Sequence, residues 1–208
     1  MLLTTDAIVL SLQPHSDKAH VLHAYTRAGG RINYMVYGLG RKHPIGLYTP
    51  LSLIQITANH AAPGEGGKFP TLKEATLVYS PQDGDIYKQT VSLFISEVIY
   101  HTLRYPMADE QLYDFLESSV RALDASPNFH LQFLVGFAAK LGFALDQSSG
   151  ASSRLTGGAA SAEEGILLSP LTRKERQQQL RALCDYFAEH VETWQQPKSL
   201  DVLTEVFD

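Results

Sequence analysis

The stretch SDKAHVLHAYTRAGGRINYMVYGLGRKHP, residues 16–44, decides the fold. Two of its segments, HVLHAYTR (20–27) and RINYMVYG (31–38), are short and rich in β-branched and aromatic residues, the composition of strands. Between them Ala28, Gly29 and Gly30 allow positive φ and therefore a tight hairpin. Working outward, DAIVLSL (6–12) precedes the pair, and LSLIQITA (51–58) and LKEATLVY (72–79) follow it, each bounded by Gly, Pro, Asn or Asp. Five short strands in about 80 residues argue for a small antiparallel barrel.

Beyond residue 82 the hydrophobic period changes from two to between three and four. Val91, Phe94, Ile95, Val98 and Leu103 recur on one helical face, and Leu112, Phe115, Leu116, Val120 and Leu123 repeat the pattern. Leu134, Phe137, Ala138 and Leu141 follow, then Leu180, Leu183, Cys184, Phe187, Val191 and Trp194. These stripes read as the core of a bundle. The intervening QSSGASSRLTGGAASAEEG (147–165) is too poor in apolar surface to fold and reads as a flexible loop. In PKSLDVLTEVF (197–207), Pro197 is expected to end the preceding helix. Ser199 then caps a short final one that docks through Leu200, Leu203 and Phe207. The expected fold class is α+β in two domains, a β domain over residues 1–82 and a helical domain over 83–208.

Composition narrows the function. A chain of 208 residues with 44% hydrophobic content can bury a sizeable core. Cys184 is the single cysteine, which excludes an intramolecular disulfide and a cysteine-based zinc site and fits a reducing compartment. No apolar run reaches the roughly 18 residues of a membrane span, and MLLTTDAIVLSL has an acid and no basic region before its apolar stretch. The expectation is a soluble, cytoplasmic protein without a membrane partner. The net charge of -5 conceals an asymmetry: residues 1–82 carry seven Lys or Arg against four acids, a net +3, and the remainder carries ten against 18, a net -8. Five of the eight histidines also lie in the β domain.

Catalytic signatures are missing. There is no G-x-x-x-x-G-K-[ST], no G-x-S-x-G and no H-E-x-x-H, so the chain is expected not to be an enzyme and to need no cofactor. Asp83–Gly84–Asp85 precedes a helix and reads as its N-cap rather than as a cation site. His15, Asp17, His20 and His23 have a metal-like spacing, but strand alternation sets His20 and His23 on opposite faces. What remains is a basic, strand-rich module with tyrosines among its cations. Single-stranded nucleic acid asks for that combination, because phosphates attract Lys and Arg while unpaired bases stack on aromatic rings. A protein-interaction adaptor with incidental charge and an RNA-binding barrel protein are the alternative readings.

TTDAIVL, the hairpin with T-R-x-x-G-R, the basic loop after the third strand, QFLVGFAAKLGFALD and YFAEHVETWQQPKSLDVL follow one another along the chain. In that order and spacing they resemble the RecO family of bacterial recombination mediators. The resemblance implies an N-terminal OB-fold that binds single- and double-stranded DNA. It also implies strand annealing, action with RecR and with the C-terminal tail of the single-stranded DNA-binding protein SSB, and loading of RecA onto gaps. Carried over by position, Arg27, Arg31, Arg41 and Lys42 become phosphate contacts, followed by Lys18 and by Lys68 on the loop before the last strand. Tyr37 is either a stacking platform or a core aromatic. Arg104, Arg121 and Lys140 are candidates for holding the acidic SSB tail. Many members carry a four-cysteine zinc module where this chain has residues 147–165, so zinc is not expected here.

Overall fold

The computed structural model describes residues 1–60, 69–82, 84–124, 126–145 and 171–206. All five expected strands form: β1 (Leu2–Ser16), β2 (Ala19–Thr26), β3 (Gly30–Tyr37), β4 (Leu53–Asn59) and β5 (Thr71–Tyr79). They close into a barrel in the order β1-β2-β3-β5-β4. Closure depends on the length of β1. Its Leu2–Ile8 segment pairs with β4, its Ala7–Ser16 segment pairs with β2, and register breaks after Val9 and Pro14 let it turn from one partner to the other. A single parallel pairing, Met35 with Thr71, joins β3 to β5 and removes the last open edge.

Alternation along the strands fills the barrel. Val9, Leu22, Ala24, Tyr34, Val36 and Ile56 are buried in one cluster. Strand β2 breaks the alternation by being buried on both faces: His23 and Tyr25 point away from that cluster yet are 7% and 2% exposed. Helices cover them. α1 (Ile86–Thr102) brings Tyr100 edge-on to His23 at 5.0 Å, and α2 (Glu110–Arg121) stacks Tyr113 on Tyr25 at 6.3 Å. The barrel thus shares one compact unit, Met1–Ala122, with these two helices. Both helices begin on aspartate caps, Asp85 accepting from the Tyr87 N–H and Asp109 from that of Leu112, so the cap reading of the Asp83–Asp85 segment holds at Asp85.

The second unit, Leu123–Asp208, contains α3 (Phe129–Lys140), α4 (Arg173–His190) and α5 (Ser199–Val206) among its described residues. Phe137 stacks on Phe187 at 6.0 Å, joining α3 to α4. Thr172 and Glu175 form a reciprocal capping box at the start of α4. Two boundaries differ from expectation. α4 ends at His190, well before Pro197: the chain becomes extended at Val191 and turns so that Trp194 packs on Phe187 at 5.2 Å. Pro197 instead accepts the Leu200 N–H at the start of α5, and Ser199 is its first helical residue rather than its cap. Leu200 and Leu203 are buried as expected, and Phe207 lies outside the described residues. Cys184 is also buried, which with Asp185 pushes its thiol up to about 12 and leaves an inert small hydrophobe. The loop expected over 147–165 lies outside the described residues.

Candidate nucleic-acid interface

The β2–β3 ladder separates the expected site residues into two groups. Its register runs from Ala19 opposite Tyr37 at one end to Thr26 opposite Gly30 at the other. Seven strand steps put these ends about 23 Å apart. Lys18, Tyr37, Arg41 and Lys42 belong to the first end, Arg27 and Arg31 to the second or beside it.

At the first end the β1–β2 turn and the loop after β3 enclose an open cleft of about 500 Å³, lined by Asp17, Lys18, His20, Tyr37, Leu39 and Arg41. Tyr37 is 51% exposed, which decides its two readings against the core. Alternation is the cause: Tyr34 and Val36 point into the barrel and are fully buried, so Tyr37 projects outward. Lys18, Arg41 and Lys42 are all exposed. The loop that carries the last two is built rather than slack. Gly38 and Gly40 adopt φ of 76° and 80°, and the Arg41 and Lys42 N–H groups both donate to the Gly38 carbonyl at 3.1 and 2.9 Å. The arrangement places two cations, Lys18 and Arg41, and one outward tyrosine around a cleft of nucleotide dimensions, with Lys42 exposed next to Arg41 on the same loop, and none of them has to leave a core.

The second end is occupied by the protein itself. The Arg27 guanidinium lies 2.7 Å from Asp114, 3.2 Å from Glu117 and 3.6 Å from Glu110, with its Cζ 4.3 Å from the centre of the Tyr113 ring. Arg31 stacks on Tyr100 at 4.0 Å and donates to the Tyr100 and Leu103 carbonyls at 2.9 and 3.4 Å. Those carbonyls are at the C-terminal end of α1, where backbone acceptors lack helical partners and the helix dipole favours a cation. The hairpin cations therefore tie the barrel to α1 and α2. Arg31→Ala should lower the stability of this unit by about 1.5 kcal/mol through the lost stacking and charged hydrogen bond, read as a shift in the urea midpoint. An unchanged midpoint would remove the strut role.

Of the remaining residues, Lys68 lies outside the described ones. Arg121 is held by Glu117 through two contacts of 3.0 and 2.8 Å. Lys140 is exposed at the end of α3. Arg104 lines a mostly apolar pocket of about 190 Å³ with Tyr25, Thr102, Leu103, Tyr105, Met107, Asp109 and Leu112, a combination of apolar walls with one cation and one carboxylate that no local sequence pattern displays. His23 is hydrogen-bonded to Asn33 at 2.7 Å, and its imidazole is held below the usual range by burial.

Comparison with known proteins agrees with this architecture. The family model for the recombination protein O N-terminal region matches residues 1–81, the barrel, and that for the C-terminal region matches residues 83–182. The chain belongs to the RecO family. Among curated members it is similar to the DNA repair protein RecO of Flavobacterium johnsoniae, 31% identical over 237 residues with all of both chains covered. Those of Porphyromonas gingivalis and Phocaeicola vulgatus are each 29% identical, again over the whole of both chains. The five-stranded closed barrel followed by helices is the fold that the RecO resemblance implied. No helix among the described residues is long and apolar enough to cross a membrane.

Proposed function

We propose that this RecO-family chain binds single- and double-stranded DNA through the cleft end of its barrel, anneals complementary strands, and acts with RecR to load RecA onto SSB-coated gaps. The observation that carries the reading is the grouping of Lys18, Arg41 and outward Tyr37 around one open cleft, with exposed Lys42 beside Arg41 on the same loop, on a chain of net charge -5. Each exposed cation can approach a phosphate without first being freed from a core, and the Tyr37 ring offers a face on which an unpaired base stacks. Annealing needs no covalent step. Two polyanions repel, and a local cationic surface lowers the barrier to their approach. Arg27 and Arg31 act as struts in this reading, and phosphate contact falls to Lys18, Arg41 and Lys42. For the SSB tail, an acidic and apolar peptide, the Arg104 pocket offers apolar walls and one guanidinium, set against the Asp109 carboxylate that also lines it.

The test is a titration of labelled single-stranded DNA at several salt concentrations. Each phosphate contact on a single strand contributes about 0.7 to the slope of log affinity against log salt, so Arg41→Ala/Lys42→Ala should flatten it by about 1.4. Stability should move by less than about 0.5 kcal/mol because both side chains are exposed. Wild-type affinity and slope in the double variant would overturn the cleft as the DNA site. Binding that is indifferent to salt would favour the adaptor, and a preference for RNA the RNA-binding reading.

A further inference from the structure

We propose that His43 and Tyr48 are the positioning residues of this interface, holding the Arg41–Lys42 loop in one shape without themselves touching nucleic acid. For its purpose the inference rests on the DNA-binding reading above; the hold itself rests on geometry. Arg41 and Lys42 are exposed, but the residue that follows them is not: His43 is 4% exposed, beneath two solvated cations. Its Nδ1 lies 3.0 Å from the Tyr48 hydroxyl. Tyr48 is itself 4% exposed and belongs to the cluster that fills the barrel. The main chain closes the same loop from the other side, with the Gly40 N–H donating to the His43 carbonyl at 2.8 Å and Leu39 bridging to His43. The cations thus sit on a short arc pinned at Gly38 by backbone hydrogen bonds and at His43 by a side chain rooted in the core.

The choice of histidine is physically apt. Burial, aided by the neighbouring Lys42 charge, holds the imidazole below its ordinary range. A neutral ring keeps the Tyr48 hydrogen bond without adding a third like charge under the loop. Fixing the backbone before binding matters because each mobile segment ordered at an interface subtracts from affinity.

Three variants separate this role from simple folding. Tyr48→Phe removes only the hydroxyl, His43→Leu removes the polar partner, and His43→Asn returns a polar atom near the Nδ1 position. Amide exchange at Gly40, Arg41 and Lys42 should speed up about tenfold in the first two, the equivalent of one net hydrogen bond. Affinity for a fluorescein-labelled oligothymidylate strand should fall about fivefold, with Asn restoring both readouts. In the Arg41→Ala/Lys42→Ala background His43→Leu should have no further effect on binding, because the residues act through those cations. Unchanged exchange, or an equal loss of affinity in both backgrounds, would overturn the inference. If exchange rises while neither these variants nor Arg41→Ala/Lys42→Ala changes binding, the hold stands and the DNA-binding reading fails.

Discussion

Gly30→Ala is expected to lower the melting temperature by about 6–12 °C, the equivalent of about 3 kcal/mol in a chain of this size. Gly30 ends the β2–β3 hairpin with φ of 66°, a conformation that costs a residue bearing a Cβ about 1–2 kcal/mol. The second contribution is steric. A Cβ at this position would overlap the backbone of Met107, in the segment between α1 and α2. Main chain cannot rotate aside as a side chain does, so the segment must shift or the hairpin must lift, at a further cost of about 1–3 kcal/mol. Either movement strains its neighbours: the Thr26 hydroxyl donates to the Gly30 carbonyl at 2.9 Å, and Arg31, the next residue, is the strut to α1. Gly29→Ala is the control, since its Cβ would overlap the flexible end of Ile32, with Thr26 Oγ1 at an ordinary contact distance, and its φ is not in the left-handed region. DNA binding measured well below the transition should survive in Gly30→Ala, because the cleft is at the far end of the ladder. A melting temperature within 2–4 °C of the parent, about 1 kcal/mol or less, would contradict the argument.

That hairpin also shows which parts of the molecule local sequence encodes. The strands were legible because period-two patterns and turn residues are local properties. A barrel was expected from five such strands, but the pairings that close it were not legible, since the long β1, the Met35–Thr71 pairing and the covering helices bring together residues remote in sequence. The positions of Arg27 and Arg31 follow from the same limitation. Both belong to a hairpin that reads as basic and outward-facing, and its outer face is the one α1 and α2 cover. A signal was present in Val21, His23 and Tyr25, whose positions alternate with Leu22 and Ala24: an apolar or aromatic residue at most outward positions marks a strand buried on both sides. At the other end the cations of residues 41 and 42 are as exposed as their glycine- and proline-rich context implies. His43 is the exception there, hidden beneath a loop by a contact with Tyr48 that no spacing rule predicts.

The second unit carries a histidine that sequence patterns passed over, and it makes the stability of that unit depend on pH. His130, in the first turn of α3, is 2% exposed and borders a small cavity with Arg173, Arg176, Leu180 and Leu203. Burial holds its imidazole down at about 3, with the Arg176 charge acting in the same direction. The unfolded chain, where histidine titrates near 6.5, therefore takes up a proton that the native state refuses. Because the unfolded state binds more protons, stability rises with pH across this window and falls as the pH drops from about 6.5 towards 3, by up to about 1.4 kcal/mol per unit. By pH 5 the loss should be about 2 kcal/mol. Trp194, the single tryptophan, packs on Phe187 in the same unit and gives a fluorescence signal for its unfolding in urea. Comparing pH 7 with pH 5, the wild type should lose that amount, and His130→Leu, with a side chain of similar bulk and no proton to bind, should lose about 2 kcal/mol less. The first unit contains His23, His43 and His60, all shifted downward chiefly by burial, so its acid response has the same sign and must be followed by a separate probe. An equal pH response of the tryptophan signal in wild type and His130→Leu would mean that His130 titrates normally in the native state, and that water reaches a ring the packing of α3 and α4 should exclude.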